Sequence, residues 1–454
     1  MPVEKWKERD LVRRLCHALD LALRALERLA PAGYSDPDRP AANIRPEKVI
    51  AETGVLLYGA SLARQHREVN VRIHRVARRL APHARSAQIR LGLALNPALA
   101  FDYSLAHVLL TRLGFPDADF DRLLDQSRSA QASAGRERVP HRALEQEWIE
   151  GLRHPEPSDG AARTRRRMIL RQTILANPMD LFSATDEDLY AFTHAVMYAT
   201  GFRRASGALP RSRAAILAEA EGALARCLDS QDYDLAAEIL LAWPLTGKSW
   251  SPVAAFAFRV LAEVEDKAGF LPTPATRLSE LEARKGEDRS RYLFATAYHT
   301  AYVMGLLCAA ALQPECAPPV AWRGSTSGAA RHFLSLLDDE KQSPHWREVF
   351  AQLSVAQQDA LAGFLFHVAL QRKASERDFA GMAQVLQIGF ELGQAATPVA
   401  SQAAELLERI GSCAGIHASP AAHSPAALEY VSIRELPFGF SIVHLPTGTT
   451  TAAC

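Results

Sequence analysis

The sequence contains no C-x-x-C pair. Its six cysteines, Cys16, Cys227, Cys308, Cys316, Cys413 and Cys454, are scattered, which argues against a zinc ribbon and against a disulfide framework. An excess of charge of either sign is also missing. A net charge of +1 supplies no global attraction to nucleic acid or to an anionic membrane. The longest apolar run, about Ala301 to Leu312, is well short of the roughly 20 residues a spanning helix needs. Residues Met1 to Asp10 carry charges where a signal peptide has its apolar core. These absences predict a cytoplasmic protein with neither nucleic acid nor membrane as a partner. There is no P-loop, no G-x-G-x-x-G after a strand and no G-x-S-x-G, so no nucleotide or nucleophile-elbow motif is present. H-x-x-x-H and H-E-x-x-H spacings are missing as well. No metal or other cofactor is expected, and a trio of His194, His299 and Glu238 has no anchoring motif.

What is present is apolar surface and helical periodicity. A hydrophobic fraction of 48% with 23% charged residues suffices for a large core. Arginine far outnumbers lysine and alanine is abundant, a bias typical of GC-rich bacterial genomes. Leu11, Leu15, Leu19, Ala22 and Leu26 recur at helical spacing in a first helix from about Lys5 to Leu29. Gly/Pro stops then separate helices along most of the chain, as at Ala268-Gly-Phe-Leu-Pro272. The Arg64 to Arg79 set reads as a solvated face paired to acids such as Glu68 and Asp102. The expected organisation is N-terminal helical repeats over 1–153, a central helical region over 163–312, C-terminal helices over 326–413 and a strand-like tail over 428–454. The break before the central region falls at the polar His154 to Gly160.

One phrase occurs twice. Tyr190-x3-His194-x6-Gly201-Phe202 repeats Tyr103-x3-His107-x6-Gly114-Phe115. Aromatics at helix centres, Tyr58, Tyr103, Trp148, Tyr190 and Tyr233, are separated by 45, 45, 42 and 43 residues. Tyr298 continues the series after a charged insertion over Thr273 to Arg289. That period is one helical hairpin, the unit of solenoids and α/α toroids. It predicts an all-α fold in which every second helix faces inward.

On the helix opening at Asp186, Tyr190, His194 and Tyr198 share one face, while Thr185 and Asp188 form an N-terminal cap. Asp234 and Glu238 sit at i, i+4 in an apolar run ending at Trp243. Burying Glu238 demands a partner, which the Tyr298-His299 pair on a long apolar helix can supply. His194, Glu238 and His299 are therefore the candidate catalytic acid/base set. Asp188, Tyr190, Tyr198, Trp243, Tyr298, Tyr302 and His107 are the candidate substrate contacts.

The phrases Asp188-Leu-Tyr-Ala-Phe-Thr-His194, Glu238 in its apolar run and Tyr298-His299-Thr-Ala-Tyr-Val-Met-Gly305 resemble an uncharacterised group of bacterial helical proteins, a domain of unknown function met in natural-product gene neighbourhoods. The resemblance covers about Asp186 to Leu312 and implies no particular reaction. The helices with Gly-Phe stops are also similar to the α/α toroids of terpene cyclases and some glycosidases, but D-x-D-D and D-D-x-x-D motifs are absent. The leading expectation is an α/α-repeat enzyme of bacterial secondary metabolism, its class unassigned, acting on a small molecule or short peptide through His/Glu acid/base chemistry. The alternative is a non-catalytic helical-repeat scaffold that binds a protein or peptide partner.

Overall fold

The computed structural model describes residues 6–413 except 28, 30–33, 37–38, 64–65, 130–136, 155–159, 205–207, 325–326, 338–343 and 395. The expected strands of 428–454 and most of the break at 154–160 lie outside these residues. The described chain is helical apart from one antiparallel hairpin, Tyr34–Asp36 with Arg39–Ile44, in a segment the sequence marks only as a break.

Six helices form the centre of the fold: Pro46–Leu62, Ala100–Arg112, Pro140–Arg153, Asp186–Thr200, Tyr233–Leu240 and Gly286–Ala311. Each packs against the next, and the last packs against the first. They carry, in order, Tyr58, Tyr103, Trp148, Tyr190, Tyr233 and Tyr298, one member each of the aromatic series. Behind them lie Glu8–Glu27, Arg67–Ala84, Ala118–Ser129, Gly160–Leu170, Arg213–Asp229 and Pro252–Ala268. Helices drawn from 1–153 and from 163–312 thus share one hydrophobic core, so the break at 154–160 separates stretches of sequence rather than separate cores. Pro244 explains why the fifth helix is short: it sits inside the following turn Ala242–Thr246, where its ring cannot continue an uninterrupted helix.

Local chemistry sets the ends. Thr185 and Asp188 form a reciprocal capping box, and Gly201 closes the same helix in the left-handed region at φ 60°. Gly114 ends the earlier copy of the phrase at φ 87°. In both copies the following Phe amide donates to a carbonyl five residues back, Phe115 to Leu110 and Phe202 to Met197. Gly286–Ala311 has the length and apolarity of a membrane span, yet 72% of its most apolar window is buried in the protein. Arg72, from the arginine-rich helix, pairs with Asp20 at 3.0 Å and donates to the Glu68 backbone carbonyl at 3.2 Å.

The C-terminal helices, Ala329–Ser335 through Pro398–Cys413, pack on Arg213–Asp229 and Pro252–Ala268. Asp229 anchors them, accepting from Arg372 at 2.6 and 2.7 Å and from the Trp346 indole at 3.0 Å. Here His367 is buried with no partner for either ring nitrogen, and burial drives its pKa from 6.5 down to about 4. The unfolded chain therefore binds more protons than the folded one between those values. The stability that His367 contributes is fully present above pH 6.5 and is lost as pH falls toward 4. The expected loss from this residue is up to about 3 kcal/mol. Urea titrations of wild type and His367→Leu at pH 7 and pH 4.5 check it: the variant should lack this part of the acid destabilisation.

Candidate functional site

The six helices line a cavity of about 460 Å³, and every one of them supplies a titratable side chain to its wall: Glu52, Asp102, the pair Arg142 and Glu145, His194, Glu238 and His299. Three residues further along the same helix face, the wall turns apolar or aromatic on five of the six. Glu52 is followed by Val55, Asp102 by Leu105, His194 by Met197, Glu238 by Leu241 and His299 by Tyr302. The cavity is consequently polar at one end and apolar at the other. Tyr58, Trp148, Tyr198 and Phe202, from three different helices, pack edge to face or tilted at 5.3 to 6.2 Å beside the apolar end.

At the polar end three carboxylates surround one imidazole. His299 Nδ1 lies 3.2 Å from Glu52 Oε1, and its Nε2 lies 3.6 Å from Asp234 Oδ2 and 3.5 Å from Glu238 Oε1. Glu238 Oε2 accepts from Thr193 Oγ1 at 2.6 Å and stands 4.0 Å from His194 Nε2. Asp234 Oδ2 accepts from the Tyr190 hydroxyl at 2.9 Å, while its buried Oδ1 has no partner. Burial opposes charge on all four groups, and mutual attraction answers it unequally. For His299 burial is outweighed by Glu52, Asp234 and Glu238, so its pKa rises well above the usual value. Glu238 and Glu52 are held below theirs despite burial, chiefly by His299. Asp234 is raised by burial, His299 offsetting it only in part.

A second polar group stands on the neighbouring wall. Glu145 accepts from the Tyr198 hydroxyl at 2.7 Å and pairs with Arg142 at 2.8 Å. His141, packed 5.7 Å from the His194 ring, is lowered to about 4 by burial and then by the nearby positive groups.

The structure thus brings His194, Glu238 and His299 to one wall, with Tyr190 behind Asp234. Tyr198 and Tyr302 line the cavity, and Tyr302 reaches Thr53 at 3.2 Å. Tyr298 is buried next to Glu52, its ring stacked on Phe294 at 4.8 Å. Tyr190 and Tyr298 stand behind the wall rather than in it, and three more of the expected contacts lie elsewhere. Asp188 is occupied by the cap at Thr185. Trp243 is buried against Trp250. His107 is fully buried and turned away from the cavity, accepting from Arg85 at 3.1 Å and meeting Asp121 at 2.9 Å over the Phe120 ring. Its helix lines the cavity with Asp102 and Leu105 instead, a different face from the one His194 and Met197 use, so equal sequence spacing did not carry equal rotation.

Sequence reasoning missed Arg45, Glu47, Lys48, Glu52, Asp102, Arg142 and Glu145 as wall residues. Glu52 had the signal that exposed Glu238, a carboxylate inside an apolar helical run. Asp102 and the Arg142/Glu145 pair lie near polar helix starts, where a solvated first turn reads the same way. One ligand atom from each of Asp234, Glu238 and His299 falls within 4.8 Å of the others, so the metal-capable trio contains Asp234 where the sequence suggested His194.

Fold and site together define an all-helical protein organised around a polar-to-apolar cavity. The chain belongs to the family described as Domain of unknown function (DUF6895), whose model matches residues 15–309. The match begins in the first long helix and ends near the close of Gly286–Ala311, so it takes in all six cavity helices and leaves out the helices from Ala329 onward. No curated protein and no solved structure matches the chain.

Proposed function

We propose that the cavity helices and those behind them form an α/α toroid, and that this toroid is an enzyme acting on a small molecule or short peptide bound inside it. The supporting observation for catalysis is convergence. Glu238, fixed by Thr193, stands between His299 and His194 at 3.5 and 4.0 Å in the wall of a cavity large enough for a small ligand. Such a set can move protons to and from a substrate whose apolar part occupies the end lined by Val55, Leu241 and Leu306. The toroid reading is supported by the cyclic packing of the six helices and by the aromatic period. A role in bacterial secondary metabolism rests on the sequence resemblance alone.

Screening short peptides and small polar metabolites by ligand-observed NMR tests the reading, with Ala51→Phe as a variant that fills the cavity without removing a polar group. Ligands that bind wild type and are lost in Ala51→Phe are the expected outcome. A protein or peptide that binds wild type and Ala51→Phe equally, with no small ligand found, would instead favour the scaffold.

A further inference from the structure

We infer that Asp234, Glu238 and His299 form a binding site for a divalent transition-metal ion, with Glu52 as the carboxylate that orients the histidine. The inference deepens the proposed function by naming its cofactor, and it rests on that reading for the ion's purpose, since the ion would serve the same cavity.

The distances favour an ion over a shared proton. A hydrogen bond from a ring N–H to a carboxylate is about 2.7–2.9 Å long, whereas His299 Nε2 stands 3.6 and 3.5 Å from the oxygens of Asp234 and Glu238. Ligands held about 2.1 Å from a tetrahedral ion are separated from one another by about 3.4 Å, close to the two distances from His299, and the three ligand atoms all lie within 4.8 Å of one another. The opposite ring nitrogen, Nδ1, lies 3.2 Å from Glu52 Oε1, an ion-pair distance without hydrogen-bond alignment. That places a carboxylate behind the histidine and leaves Nε2 toward the other two acids, the order seen in carboxylate–histidine–metal sites. Thr193 holds the second oxygen of Glu238, while in Asp234 the Tyr190 hydroxyl donates to Oδ2, the oxygen that also faces His299, and leaves Oδ1 open.

Two further observations point to a cation. Asp234 is 7% exposed and its Oδ1 is buried without a partner, which costs free energy in the absence of a bound group. Three carboxylates, Glu52, Asp234 and Glu238, meet His299 in this wall; Lys48 stands 3.6 Å from Glu52 and His194 4.0 Å from Glu238, so Asp234 is the acid that has no basic group beyond His299 and that a divalent ion would neutralise. One nitrogen and two or more carboxylate oxygens suit Zn²⁺ or Mn²⁺ better than a soft ion. With an ion in place, His299 and Glu238 act as ligands, and His194, 4.0 Å from Glu238, is the group left to exchange protons.

The test is direct metal binding to the full chain, read without any substrate. Zn²⁺ is titrated by calorimetry after chelator treatment, and Mn²⁺ is followed by loss of its free-ion EPR signal, with Mg²⁺ as the hard-ion control. The expected result is one Zn²⁺ or Mn²⁺ per chain, weakened at least about 100-fold in Glu238→Gln and Asp234→Asn, and about 10–100-fold in Glu52→Gln. Circular dichroism of each variant guards against loss of folding, and wild-type binding alone decides the matter if a variant fails to fold. No stoichiometric binding to wild type, or equal affinity in all folded variants, overturns the inference; in that case His299 is an imidazolium shared among three acids. Metal binding without any cavity ligand leaves this inference standing and removes the enzyme reading, so the two fail separately.

Discussion

Arg14→Met should lower the free energy of unfolding by about 3–5 kcal/mol. Arg14 is 1% exposed. It reaches from Glu8–Glu27 to Pro252–Ala268, where it pairs with Glu265 and with Asp266 at 2.6 Å and donates to the Ala262 carbonyl at 3.3 Å. Methionine fills most of the volume, so packing accounts for little of the loss. The cost arises because Glu265, itself 6% exposed, keeps a buried charge with no counterion. A double variant, Arg14→Met with Glu265→Leu, should therefore recover much of the stability. Urea unfolding followed together by tryptophan fluorescence and far-UV circular dichroism measures both. Equal destabilisation in the single and double variants would show that the loss comes from packing and not from the stranded carboxylate.

Gly305→Ala should cost about 1–3 kcal/mol, an unusual penalty for adding one methyl to a helix interior, where alanine is intrinsically better than glycine. Gly305 lies where Gly286–Ala311 crosses the first two long helices. A Cβ there would stand 2.5 Å from the Ala18 Cβ and 3.0 Å from Leu56 Cδ1. Alanine has no rotamer with which to withdraw, so the helices must separate. This seam is where the sixth cavity helix meets the first, and His299 lies on the same helix. The substitution should accordingly weaken any cavity ligand as well as the fold. A rise in the urea midpoint on introducing alanine would mean that the seam has slack and that the close approach is not required.

These two positions also show the reach of the sequence. Periodicity identified Leu11, Leu15 and Leu19 as a buried stripe, and they are buried. Nothing in that pattern marked Arg14, which is buried through a partner some 250 residues away. The candidate site divides in the same manner. Glu238 was legible because a carboxylate within an apolar run violates the expected pattern, and His299 because it follows Tyr298 on a long apolar helix. Asp188 was named both as a cap, from its spacing to Thr185, and as a substrate contact, and the structure gives it the cap alone. His107 was misplaced because a repeated phrase fixes the spacing along a helix but not the helix's rotation about its axis. That rotation depends on what packs behind it, here Phe120, Arg85 and Asp121.

The amino-acid sequence alone was enough for whatever depends on neighbours within a few turns. It placed the helices, their caps and glycine stops, the aromatic on each of six helices, and a carboxylate that had to find a partner. Residues three or four apart share a helix face whatever the rest of the chain does, so these features need no long-range information. Which face turns inward, and which distant groups meet there, followed from packing. Glu52 and His299 lie 3.2 Å apart on helices at opposite ends of the matched region, and that proximity exists because the sixth helix returns to pack on the first. The sequence holds no local record of that return, since the contacts enforcing it, such as Gly305 against Ala18, are made only once both ends of the core have folded.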